Sequence, residues 1–151
     1  FPVEFSQRAP DAAPGGGRSP AIEWQNAPEG TQSFVLHFHD TDVARQKTTE
    51  DQLQWLVWNI PGTATGLPEG VPPGAQLPDG SYQASASGDF YRGPGGAAVY
   101  HHYLFDLYAL DTVLDVTPAE DGFASRKAVM EAMQGHVIGK ASYVALFRRP
   151  Q

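Results

Sequence analysis

A mainly β protein, a β-sandwich carrying one peripheral helix, is what this sequence predicts, and three observations predict it. Glycine and proline are abundant, 16 and 13 among 151 residues, which favours turns over long helices. Short runs rich in β-branched and aromatic residues recur between those turns. Only one late stretch has helical spacing, and no internal repeat is visible. The length suits one hydrophobic core.

Taken in order, "APDAAPGGGRSP" (Ala9–Pro20) is too rich in Pro and Gly to hold regular structure. Residues 1–18 are therefore expected to form a flexible N-terminal segment and residues 19–151 a single domain. "AIEW" and "SFVLHFH" read as strands, and "LQWLVWNI" as a central strand buried on both faces. From Pro61 to Gly80 the turn signals "PEG", "PPG" and "PDG" mark a long loop, and "FYRGPGGAAVY" is a second. "YQASAS", "HHYLFDLYAL" and "ASYVALFRR" complete the strands. The helix is "SRKAVMEAMQGHVIG", with Ser125 as its N-cap, Val129, Met130, Met133 and Val137 as its apolar stripe, and Gly139 at its end. His136 then sits near the helix C-terminus in a structural role.

A formal net charge of −7 without any Lys/Arg run argues against nucleic acid as a partner. The absence of cysteine removes disulfides, thiol nucleophiles and zinc-thiolate sites, and is neutral about compartment. No apolar run approaches the roughly 20 residues of a membrane helix, and the start lacks a basic-then-apolar signal pattern. A cytoplasmic protein is the expectation. Because the first residue is Phe and not Met, an upstream segment removed in processing leaves a periplasmic or secreted location open.

The stretch "FVLHFHDTDVA" (Phe34–Ala44) packs two histidines and two aspartates into six residues. Strand alternation points Phe34, Leu36, Phe38, Asp40 and Asp42 one way and Val35, His37 and His39 the other. Asp40 and Asp42 would lie about 6–7 Å apart at Cα, able to grip a hydroxyl, amine or cation, or one of them caps a turn at Asp40. His37 and His39 have the spacing of two metal ligands, but no third ligand is evident, and the competing reading has one histidine buried and hydrogen-bonded and the other at the surface. His101 and His102 open a strand after the glycine-rich loop, near Tyr91, Tyr100 and Tyr103, a setting for an anion or polar headgroup as much as for aromatic packing. "GPGGAA" is not a nucleotide loop, since no Lys-Ser/Thr follows it, although its backbone N–H groups could meet an anion. Neither GxSxG nor HExxH occurs.

Together, "AIEWQNAPEGTQSFVLHFHDTDVA", "LQWLVWNIPG", "YRGPGGAAVYHHYLFDLYALD" and "MQGHVIGKASYVALFRR" resemble the phosphatidylethanolamine-binding protein family, also called Raf kinase inhibitor-like proteins, in its bacterial and archaeal branch. The resemblance runs from about Ser19 to Arg149. The family's Asp-Pro-Asp-x-Pro stretch reads here Asp40, Thr41, Asp42, Val43, Ala44, with both acids kept and both prolines lost. A family histidine before the "WLVWN" strand is replaced by Gln54, which can hydrogen-bond a ligand oxygen but cannot take up a proton. The second signature supplies Pro94, His101 and Tyr103, with His102 in place of the usual Arg, Gly96 where a proline is expected and Val99 where a glycine is expected.

The resemblance implies a β-sandwich with a small pocket near one end, and as its ligand-binding residues Asp40, Asp42, Gln54, Tyr91, Pro94, Gly95, His101 and Tyr103. It implies a binding protein for a small anionic or zwitterionic ligand, a phosphate-like anion or phospholipid headgroup, with no cofactor, no metal and no catalysis. Two other readings stay open: an enzyme using Asp40, Asp42 and His101 for cyclisation, dehydration or hydrolysis, and a module inhibiting a kinase or protease. A protein partner and a homodimer are left open as well. On this reading His37 and His39 are structural.

Overall fold

The computed structural model describes residues 1–12 and 16–151. Its strands are β1 (Ile22–Glu23), β2 (Ser33–Asp40), β3 (Gln52–Pro61), β4 (Gly66–Leu67), β5 (Tyr82–Ala84), β6 (His101–Leu110) and β7 (Val137–Phe147), with one α-helix, α1 (Gly122–Met133), between β6 and β7. Five strands form an antiparallel sheet in the order β5-β3-β2-β6-β7, and β1 pairs with β4 in a second, two-stranded sheet. The fold is thus mainly β with one helix, as the sequence predicts.

All eight residues of the central strand β2 are buried, because both faces of the large sheet are covered. On one face Phe34, Leu36 and Phe38 join Trp55, Val57, Tyr103 and Phe105, with Ile22, Trp24 and Leu67 of the small sheet region packed against them. On the other, Val35 joins Leu56 and Trp58 beneath Val129 and Met133 of α1. Each such side chain contributes about 1.5–3 kcal/mol when fully buried, so the alternation of β2 binds both layers to one strand.

The helix differs from its expected limits. Asp121, not Ser125, is the N-cap, its carboxylate accepting from the Ala124 N–H at 2.8 Å. Ser125 is buried and instead accepts from the Ala119 N–H, fastening the incoming loop. The chain leaves the helix through Gly135, whose φ of +83° suits glycine, so Val137 and Gly139 belong to β7 and not to the helix. His136 accordingly lies in the turn, its Nδ1 2.8 Å from the Asp111 carboxylate. Helix and sheet meet closely at Gly122, where an added Cβ would lie 2.1 Å from the Ser85 carbonyl oxygen. Gly122→Ala is expected to lower the unfolding free energy by about 1–3 kcal/mol in urea denaturation, since backbone stands on both sides of the clash.

The N-terminal segment has defined contacts in its described part. The Phe1 ring stacks with Phe38 and Phe105, and its backbone nitrogen donates to the Leu146 carbonyl at 2.9 Å. The Tyr91 hydroxyl donates to the Phe5 carbonyl at 2.7 Å, and the Gln7 side chain to that of Gly93. Of the segment expected to be flexible, residues 13–15 lie outside the described residues.

Candidate functional site

Asp40 ends β2 and stands opposite Tyr103 on β6, two residues after His101, so strand register alone gathers these three side chains at one end of the sheet. There an open cavity of about 490 Å³ is lined by Asp40, Gln54, Gly95, His101 and Tyr103, with Arg92 among its walls. Five of the eight residues expected from the sequence are thereby brought together.

Asp40 is 4% exposed, and both of its oxygens are engaged. Oδ1 accepts from the Asp42 N–H at 3.0 Å, closing a local turn where the sequence lacks the two prolines, and Oδ2 lies 2.7 Å from His101 Nδ1. Among the described residues, Nε2 of the His101 ring has no hydrogen-bond partner. Burial, and then the facing Asp40 carboxylate, push the Tyr103 hydroxyl well above its ordinary range, so it remains protonated and able to donate.

Gln54 does not present its amide hydrogens to the cavity. Its buried side chain donates to the Arg92 and Gly93 carbonyls at 3.1 and 2.9 Å and so holds the glycine-rich loop against β3. Gly96 in that loop has a φ of +81°, and an added Cβ would lie 2.9 Å from the Arg149 Cα, so neither a proline nor any side chain fits where the sequence pattern has a proline.

The other three expected residues lie elsewhere. Asp42 turns outward, accepting from the His102 backbone N–H at 2.6 Å and lying 2.8 Å from its Nδ1, contacts that hold its carboxyl below the usual range. Tyr91 is buried beside Phe38 and Trp55 with its hydroxyl on the Phe5 carbonyl. Pro94 offers only its carbonyl, to the Gln7 N–H.

Arg92 is the residue that sequence reasoning missed. Its Nη1 donates to Ser87 Oγ at 2.8 Å, while Nε is buried and has no hydrogen-bond partner among the described residues. Arg8, donating from Nε to the Gly95 carbonyl at 2.6 Å, adds a second cation to the cavity wall. The signal for Arg92 was its place in "YRGPGG", directly before the loop; nothing local marks Arg8.

On the opposite face of the sheet both His37 and His39 are buried, not one, and their rings stack 4.0 Å apart. His39 Nδ1 lies 2.6 Å from Asp51 Oδ2 and Nε2 lies 2.8 Å from Asp106 Oδ2. Burial lowers the His39 pKa, but the hydrogen bonds to Asp51 and Asp106 outweigh it and the net direction is up. The structure supplies the third candidate ligand absent from the sequence reading, since His37, His39 and Asp106 place one ligand atom each within 4.8 Å of one another. The Arg126 guanidinium, 3.4 Å from His37 Nε2 and 2.7 Å from Asp51 Oδ1, supplies positive charge at that spot and opposes a metal ion there.

Burial, with the neighbouring His39 and Arg126, depresses the His37 pKa to about 3. Between its ordinary value near 6.5 and that depressed value the unfolded chain binds a proton that the folded chain does not, so stability falls as pH falls through this window. At pH 5 the loss from this group should be about 2 kcal/mol. Urea denaturation at pH 7 and pH 5 is expected to show a smaller acid loss in His37→Gln than in the unaltered chain.

A family model described as phosphatidylethanolamine-binding protein matches residues 1–148. A UPF0098 protein of Methanothermobacter thermautotrophicus is 44% identical over 133 residues, 87% of this chain and 83% of that protein. Among solved structures, a putative phosphatidylethanolamine-binding protein homolog from Chlamydia trachomatis, CT736, is similar with a TM-score of 0.76 and 27% identity, over 99% of this chain and 89% of that one. Escherichia coli YbcL, described as a new member of the mammalian PEBP family, is similar with a TM-score of 0.70 and 27% identity, over 88% of this chain and 81% of that one.

Proposed function

Because this chain belongs to the phosphatidylethanolamine-binding protein family, we propose that its cavity at Asp40, His101 and Tyr103 binds a small anionic or zwitterionic molecule of phosphate or phospholipid-headgroup chemistry without transforming it. The observation that carries this reading is the set of groups around one opening: the protonated Tyr103 hydroxyl, the His101 ring and the Arg8 and Arg92 side chains. Asp40 does not stand against an anion as a bare charge, since its oxygens already hold His101 and the Asp42 N–H. It orients the His101 ring so that Nε2 meets the ligand, which is a positioning role. The same carboxylate gives the ammonium end of a zwitterion a neighbour of opposite charge.

Titration calorimetry with inorganic phosphate and with phosphoethanolamine tests the reading. The unaltered chain is expected to bind, His101→Ala to bind about 10- to 100-fold more weakly, the equivalent of about 1.5–3 kcal/mol for a hydrogen bond to a charged group, and Asp42→Ala to bind as before because its side chain lies outside the cavity. Failure of the unaltered chain to bind either probe would sink the proposal. Release of inorganic phosphate from phosphoethanolamine, followed by ³¹P NMR, would replace binding with hydrolysis.

A further inference from the structure

Two hydrogen bonds fix which nitrogen of His101 carries a hydrogen. Asp40 Oδ1 accepts from the Asp42 N–H, and Oδ2 lies 2.7 Å from His101 Nδ1. A carboxylate only accepts, so Nδ1 is the protonated nitrogen. In a neutral ring Nε2 is then a bare lone pair. The side chain is 18% exposed and lines the cavity, where such a lone pair repels the oxygen of an anion. The same nitrogen becomes a donor once the ring holds a second proton. The ring then lies as a cation between the Asp40 carboxylate and the ligand.

Resting on the ligand reading above, we propose that His101 takes up one proton when an anion enters the cavity, so that the site binds phosphate-like ligands together with a proton and holds them more tightly as pH falls. The proton comes from water or buffer and goes to Nε2, whose new N–H donates to a ligand oxygen. No other covalent bond of protein or ligand changes.

The groups around the ring leave this task to His101. Asp40 meets it from β2 and Tyr103 from β6, while Arg8 of the N-terminal segment and Arg92 of the glycine-rich loop complete the charged lining. Arg149 packs on Gly96 of that loop, and the β7 residue paired with His101 is the uncharged Phe147. Asp42 lies close enough for its charge to be felt, and His102 is turned to Asp42 outside the cavity. Carboxyls ordinarily titrate near about pH 4, phenols near about 10 and guanidiniums above about 12. Burial moves Tyr103 further up, and the bonds to His102 move Asp42 further down. Among the described residues lining the cavity, His101 is therefore the one whose side-chain type changes charge between about pH 6 and 8.

Titration calorimetry with inorganic phosphate, which has no ammonium to donate to a neutral Nε2, tests the proposal. Runs at pH 8 in two buffers of different ionisation enthalpy count the protons. The unaltered chain is expected to take up about one proton per phosphate, with affinity falling about tenfold from pH 7.5 to 8.5. The ¹⁵N shifts of the His101 ring should show both nitrogens protonated in the complex at pH 8. His101→Gln carries a permanent N–H, so it should bind without proton uptake and with nearly constant affinity over the same range. Asp40→Asn lets a neutral ring place its hydrogen on Nε2, so its uptake should also fall well below one. Failure of the unaltered chain to bind phosphate sinks the ligand reading and this inference with it. Binding without proton uptake, uptake that persists in His101→Gln, or a neutral His101 ring in the complex overturns this inference and leaves the ligand reading standing.

Discussion

Arg126→Met should lower the unfolding free energy by about 3–5 kcal/mol, measured by urea denaturation at pH 7. Arg126 is 9% exposed, and it donates from Nη1 to Asp51 Oδ1 at 2.7 Å and from Nη2 to the Asp51 carbonyl at 3.0 Å. Asp51 and Asp106 bring two negative charges beneath the helix, and Arg126 with a doubly hydrogen-bonded His39 brings two positive ones. Removing one cation leaves a carboxylate in poor solvent without its partner, which costs far more than a surface ion pair is worth. A second substitution, Asp51→Leu, should recover part of the loss, because the stranded charge is then gone as well. If Arg126→Met alone costs less than about 1 kcal/mol, the four groups do not act as a balanced set.

The same network sets a pH window. His39, with its pKa raised, contributes stability that is complete below its ordinary value of 6.5 and fades as pH rises through the higher folded value. Asp51 and Asp106, with their carboxyls held down by His39 and by Arg126 or Ser142, contribute stability that is present above the ordinary carboxyl value and fades as pH falls through the lower folded ones. The cluster is therefore firmest in mildly acidic solution, except that His37 draws the acid limit upward.

Arg92→Met should weaken binding of inorganic phosphate by about 10- to 100-fold while leaving the thermal midpoint nearly unchanged. A charged hydrogen bond to a ligand oxygen is worth about 1.5–3 kcal/mol, whereas the side-chain bond lost inside the protein is the exposed contact of Nη1 with Ser87, worth at most about 1 kcal/mol. Arg92→Lys should fall between the two, since it restores charge but not a fixed N–H at that point. Calorimetry of the three chains, with melting followed by circular dichroism, separates binding from folding. An unchanged phosphate affinity in Arg92→Met would mean that its guanidinium does not reach the ligand.

Sequence periodicity carried the sheet and not the network beneath it. The alternation in "FVLHFHD" placed Asp40 and the two histidines on opposite faces, as found, because side-chain direction in a strand depends only on residue parity. The helix start was misplaced because Asp121-Gly122 reads locally as a turn, and only contact with Ser85 explains why a glycine must begin the helix there. Arg126 stands 75 positions from Asp51, and Asp106 67 from His39, separations across which no local pattern operates. One clue was legible: Asp106 interrupts the apolar run "YLFDLYAL", and a charge in such a run requires a buried partner. For the cavity, resemblance supplied Asp40, His101 and Tyr103 and, from the same signature, Pro94, whose carbonyl instead meets Gln7, while Tyr91, one of the tyrosines near His101, is buried against Phe38 and Trp55.

Gln54 grips the Arg92 and Gly93 carbonyls with a side chain that has no proton to exchange anywhere near neutrality. An imidazole at this position would loosen or tighten its hold as it titrated. The amide makes the loop wall a latch indifferent to acidity, so any change in ligand affinity with pH has to come from the ligand or from the groups that touch it, while the shape of the opening stays the same.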